Sequence, residues 1–155
     1  MAIYLLDTNI IIDAINEKKD RYRLLLELAE AQGHTLACCP INVTEVYAGM
    51  RPKEEARTSA LLRSLHLFPI TFPVAELAGQ LKRTHSKKGI SLSLPDVIVA
   101  AVAIHNQLTL ITENTKHFPM PEITLYPLPT NPLPLMRASR PTGSGKTTWG
   151  FSHLG

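Results

Sequence analysis

The sequence predicts an α/β fold, a parallel sheet covered by helices on both faces. Two observations carry that prediction. Short β-rich runs alternate with helical patterns along most of the 155 residues, which implies parallel strands joined by helical crossovers. The first run, "AIYLL" (2–6), reads as a buried strand, and a late helical stretch, "LPDVIVAAVAIHNQ" (94–107), is apolar enough to lie inside a core. No fixed-period repeat is present, so solenoids are excluded.

The elements follow in order. Asp7 ends the first strand, and a short apolar helix begins at about Asn9. "RYRLLLELAEAQG" (21–33) has helical periodicity and stops on Gly33, a helix C-terminal signal. "TLACC" (35–39) is a second strand and "NVTEVYAGM" (42–50) a short helix. Pro52 opens "PKEEARTSALLRSL" (52–65), with acids in its first turn as the helix dipole favours. "LHLFPITF" (65–72) is a third strand or extended segment. "PVAELAGQLKRTHSKKG" (73–89) is an amphipathic helix ending in basic residues and Gly89. Pro95 lies in the first turn of the apolar helix, and "TLIT" (109–112) and "EITLYPL" (122–128) are the last strands. Residues 1–126 read as one domain. Residues 127–155 read as a basic tail rich in Pro, Gly, Ser and Thr, with no independent fold.

Composition narrows the function classes. Apolar residues make up 45% and charged residues 19%, as in a globular domain rather than a disordered chain. The only two cysteines, Cys38 and Cys39, are adjacent, so they neither staple the chain nor complete a zinc site, and a reducing cytoplasm is expected. The N-terminus lacks a basic lead-in, and Asp7 and Asp13 interrupt its apolar run, so it is not read as a signal peptide. No apolar stretch is long enough for a bilayer, and no membrane partner is expected. The net charge of +3 comes from Arg137, Arg140 and Lys146, because residues 1–122 are neutral. A nucleic-acid partner is therefore not inferred from charge alone.

Four polar positions from distant parts of the chain fall at strand ends or helix beginnings. They are Asp7, Glu45, Asp96 and Asn114. In a parallel sheet such positions share the carboxyl edge, where α/β sites form. Each has a structural explanation when taken alone. Asp7 can cap the next helix. Glu45 stands in Asn42-x-x-Glu45, the spacing of a capping box. Asp96 suits the positive end of its helix. Together, three carboxylates on one rim repel unless a cation sits among them, and crowding of this kind raises at least one pKa. Hard oxygen ligands suit Mg²⁺ or Mn²⁺.

The stretches "LLDTNIIIDAI", "INVTEVYAG", "SLSLPDVIVAAVA" and "LITENTKHF" resemble, in order and spacing, the signature blocks of PIN-domain ribonucleases of the VapC toxin type. The resemblance implies a three-layer PIN-like fold with a twisted parallel sheet flanked by helices. It further implies a divalent-metal-dependent endoribonuclease acting on single-stranded RNA, a homodimer, and a small cognate antitoxin. The metal-binding acids fall on Asp7, Glu45 and Asp96, with the Thr-x-Asn element on Thr112 and Asn114 and a supporting role for Asn9. Many members carry a further acid in the last block, where this chain has Asn114 and His117. Asn114 offers an amide oxygen but no charge, which favours one metal over two.

Two rival readings differ in class. An Asp-based phosphohydrolase would use Asp7 as nucleophile, but such families usually want a second Asp where Asn9 stands. A PIN-fold module that binds RNA or a partner would bind without cleaving. "RPTGSGKTT" (140–148) looks like a phosphate-binding loop, yet Arg140 stands where its first Gly is needed, and Pro-rich sequence precedes it instead of a strand. The basic run "KRTHSKK" (82–88) reads as a solvated helix face that can also steer RNA.

Overall fold

A computed structural model describes residues 1–129. Five parallel strands form one sheet in the order β3-β2-β1-β4-β5, which the mixed pattern of strands and helices requires. They are β1 (Ile3–Leu6), β2 (Thr35–Cys38), β3 (His66–Leu67), β4 (Thr109–Ile111) and β5 (Thr124–Leu125). The helices are α1 (Thr8–Ile15), α2 (Arg21–Leu26), α3 (Pro40–Gly49), α4 (Glu55–Ser64), α5 (Phe72–Lys87) and α6 (Leu94–His105). α2 passes directly into one wider, π-type turn over Glu27–Ala31, so the single helix expected at 21–33 changes its winding midway.

Successive strand residues enter different cores, as pleating demands. Leu6, Leu36, Cys38 and Ile111 pack with Ile10 and Ile11 of α1, Leu24 and Leu25 of α2, and Leu61 of α4. Leu5, Ala37 and Leu110 pack on the opposite face with Val74 of α5 and Val97 to Ala103 of α6. Two cores around one sheet make three layers. Tyr126 and Leu128 pack against the first core, so the chain follows the domain beyond its last strand. The phosphate-loop-like stretch at 140–148 and nearly all of the 127–155 tail lie outside the described residues. No helix among the described residues is long and apolar enough to cross a membrane.

The central position of β1 sets the site. Leu6 pairs with Ile111 in register, so the next residues, Asp7 and Thr112, leave the sheet side by side. The Asp7 N–H still donates to the Ile111 carbonyl at 2.9 Å, which holds that pairing one step past the strand.

Candidate metal centre at the carboxyl edge of the sheet

Asp7 has two structural duties at once. It is the N-cap of α1, with Oδ1 accepting from the Thr8 N–H at 2.9 Å. Its Oδ2 accepts from the Thr112 hydroxyl at 2.8 Å and, at 3.4 Å, from the Asn9 amide. Capping and site membership therefore coincide. The Thr112 hydroxyl in turn accepts from the Asn114 N–H at 3.0 Å. Asn114 thus joins through its backbone; its exposed side chain takes no part in this network among the described residues.

Glu45 is not the capping partner that its spacing from Asn42 suggested. α3 starts two residues earlier than expected, at Pro40, with Cys39 as N-cap. Asn42 is then the third helical residue, and its Oδ1 accepts from the Cys39 N–H at 2.9 Å and the Cys39 thiol at 3.2 Å. Glu45 is left to turn inward, where Oε1 accepts from the Thr8 hydroxyl at 2.6 Å. The buried Asn42 amide donates to that same hydroxyl at 3.1 Å. Thr8 and Asn42 are thus the residues that orient Glu45, and sequence reading assigned them no such role.

Asp96 begins α6. Ser93 caps the helix by accepting from the Asp96 N–H at 3.2 Å, which leaves the carboxylate free to face the rim. Its Oδ2 lies 3.3 Å from His117 Nδ1.

The electrostatics record this convergence. Burial raises the Asp7 carboxyl above its ordinary 3.8, the bonds from Thr112 and Thr8 oppose the rise, and the charges of Asp96 and Glu45 add to it. Repulsion among the acids is real, but removal from water is the larger cause. Burial likewise pushes the Cys39 thiol up to about 11, with Asp7 and Glu45 acting in the same direction, so it remains a neutral donor to Asn42.

Among the described residues, no three His, Cys, Asp or Glu side chains form a ready-made cation cage. The cause is visible in the hydrogen bonds: Asp7 faces Thr8 and Thr112, Glu45 faces Thr8, and Asp96 faces His117. Asn9 Oδ1, by contrast, is buried with no hydrogen-bond partner. An orphaned hard oxygen on the side chain that already touches Asp7 is of the donor type that Mg²⁺ or Mn²⁺ takes, as is a carboxylate oxygen.

A second charged cluster adjoins Thr112. Glu113 receives Lys19 Nζ at 2.7 Å on one oxygen, with Arg21 Nε at 3.1 Å and Nη2 at 2.9 Å on the other. Lys19 also lies 3.5 Å from Asp13. Lys19 and Arg21 lie more than 90 residues from Glu113 in the chain, and no local signal announces the pairing.

A PIN domain matches residues 4–121. The chain belongs to the PIN-domain family. Within that family it is similar to ribonuclease VapC2 of Rickettsia felis, 31% identical over 121 residues, covering 75% of this chain and 90% of the relative. Ribonuclease VapC19 of Mycobacterium tuberculosis is 30% identical over 116 residues, covering 75% and 92%. The fold matches VapBC2 from Rickettsia felis, solved bound to a DNA fragment from their promoter, with a TM-score of 0.71 at 29% identity. That match covers 80% of this chain and 97% of the other. A toxin–antitoxin complex from Klebsiella pneumoniae matches with a TM-score of 0.64 at 32% identity, over 78% and 95% of the two chains. A PIN fold is what the sequence blocks implied.

Proposed function

We propose that this PIN domain is a divalent-metal-dependent endoribonuclease that cuts single-stranded RNA in the cytoplasm. It is the toxin of a toxin–antitoxin pair, works as a homodimer, and is neutralised by a small cognate antitoxin, in keeping with the VapC names and VapBC complexes of its relatives. The observation that carries the reading is the meeting of Asp7 and Thr112 at the sheet edge, with Glu45 and Asp96 within electrostatic reach.

Asp7, Glu45 and Asp96 hold Mg²⁺ or Mn²⁺, and Asn9 offers its orphaned oxygen to the same shell. When bound, the cation supplies Lewis-acid polarisation of a phosphodiester oxygen and lowers the pKa of an attacking water. Thr112 fixes the Asp7 rotamer through its hydroxyl, and Thr8 does the same for Glu45. Asn114 anchors the Thr112 hydroxyl from behind, which keeps its proton aimed at Asp7.

The test is incubation with total RNA in Mg²⁺, in Mn²⁺ and in EDTA, with mapping of the cut ends. Discrete cuts with 5′-phosphate and 3′-hydroxyl ends, lost in EDTA, are expected. RNA that is bound and left intact in every divalent metal would make the domain a binding module instead.

A further inference from the structure

We propose that the groove beside Thr112 is a nucleotide subsite for single-stranded RNA, with Lys19 holding a backbone phosphate and Tyr126 and Pro127 taking the adjoining base. The inference rests on the ribonuclease reading above and adds to it where the strand lies next to the acids. The groove encloses about 560 Å³, a size suited to a small organic ligand. Lys19, Arg21, Thr112 and Glu113 line it together with the chain from Leu125 to Pro129. Thr112 gives its hydroxyl proton to Asp7, so the groove abuts the acidic rim. That rim repels phosphate, and a strand that reaches it needs a cation close by.

Lys19 supplies that cation. Its side chain is 56% exposed, against 15% for Asp13 and 21% for Glu113, so the cluster turns its ammonium to solvent and keeps its acids beneath. Arg21, by contrast, is buried and spends two N–H groups on Glu113. Lys19 and Asp20 both have left-handed backbone, at φ 56°, which non-glycine residues hold only where their surroundings enforce it. The bond from Lys19 Nζ to Glu113 at 2.7 Å is part of that enforcement. The ammonium is therefore in place before RNA arrives, which lowers the entropy cost of using it.

The rest of the lining is apolar. Tyr126 is half-buried, and its ring is fixed edge-to-face against Tyr4 with the centroids 5.4 Å apart. Pro127 lies exposed beside it. A fixed ring and a proline offer rigid apolar surface on which an unpaired base can rest. A cation for the backbone next to an aromatic surface for a base is how proteins hold single strands without reading a sequence. A base still stacked in a duplex has no face to offer this wall, so the groove selects unpaired RNA.

Fluorescence anisotropy of a short, unpaired, labelled RNA with the full chain tests this, in EDTA so that nothing is cut and over a series of salt concentrations. Lys19→Gln should weaken binding about fivefold and reduce its salt dependence by the share of one phosphate contact, while Lys19→Arg keeps both. Tyr126→Leu should weaken binding about tenfold with its salt dependence unchanged, and Tyr126→Phe should stay within about twofold of wild type. The Lys19 variants change an exposed side chain, so they decide the matter even if Tyr126→Leu fails to fold. Affinity unmoved by Lys19→Gln, a loss there with the wild-type salt dependence, or equal competition by a duplex of the same sequence would overturn the proposal. Wild type that binds with these dependences but cuts RNA in no divalent metal would keep the groove and overturn the ribonuclease reading. Wild type that cuts RNA while these substitutions leave binding unmoved would overturn the groove alone.

Discussion

Thr112 donates its hydroxyl proton to Asp7 across 105 residues of sequence, at 2.8 Å, in the buried edge of the sheet. The bond lowers the proton affinity of a carboxylate that burial raises. Thr112→Val keeps the shape and removes the donor. It should cost about 1–3 kcal/mol of stability, as loss of a buried partner does. RNA cleavage should fall about 10- to 100-fold, as when a group supporting a ligand is removed. Thr112→Ser should restore most of both. Unchanged cleavage in the Val variant would remove Thr112 from the site.

Asp7 bears on stability as a function of pH. Its folded-state pKa lies above the unfolded 3.8, so ionisation is harder in the folded protein. Its penalty is absent below the unfolded value, grows as pH rises through the interval up to the raised folded value, and is constant above it. In EDTA, Asp7→Asn should therefore melt no lower than wild type at neutral pH and lose this part of the pH dependence. A saturating cation stabilises by mass action, roughly 2.7 kcal/mol at a hundredfold excess over its dissociation constant, and the variant should lose most of that gain. Thermal melts with EDTA and with Mn²⁺ check both parts together.

Asp7→Asn and Asp96→Asn should each nearly abolish cleavage with the fold retained, because each removes charge from one cation shell. Circular dichroism and RNA cleavage on the same samples separate chemistry from folding. Wild-type cleavage by either variant in matched metal would rule out the assignment.

Glu113 shows the opposite pH behaviour. Burial alone would raise its pKa, but the bonds and charges of Lys19 and Arg21 outweigh that and lower it below 4.5. Its contribution to stability is present above pH 4.5 and is lost as pH falls through the depressed folded value. Glu113→Gln should lower the melting temperature by a few degrees at neutral pH, with the gap closing in acid. A gap that persists at low pH would mean that packing, rather than charge, connects Glu113 to Arg21.

Truncation after Pro129 should leave metal-dependent cleavage within a few-fold of the full chain. The removed residues contain no acid and lie beyond the matched 4–121 region. RNA affinity should fall and become less sensitive to salt, since Arg137, Arg140 and Lys146 leave with them. Complete loss of activity in a folded truncation would bring the tail into the site.

The strands and most helices were legible because their signals are local. Apolar runs mark β1 and β4, prolines mark the first turns of α5 and α6, and the alternation of elements dictates parallel pairing. Thr112 entered the site through the family resemblance, and the register of β1 against β4 is what brings its hydroxyl to Asp7. The capping-box spacing from Asn42 to Glu45 was misleading because α3 starts two residues earlier than expected, and Cys39 is a weaker capping signal than Asn42. The site was obscured where partners are distant in sequence. Neither the Thr8–Glu45 bond nor the Lys19–Glu113–Arg21 cluster has a spacing that sequence could reveal. The winding change after α2 likewise has no residue-type signal in the run Glu27–Ala31.

The strand order also times the birth of the active protein. β1 leaves the ribosome first, and β2 covers one of its edges some 30 residues later, but its other edge waits for β4 at residue 109. Contacts of such long sequence separation form late. Until β4 docks, Asp7 has neither Thr112 nor a closed rim. A nascent or clipped chain lacking its last strands therefore carries three of the acids and none of the geometry. The carboxyl edge is therefore completed by the last strands to be made, after all three acids are already in the chain.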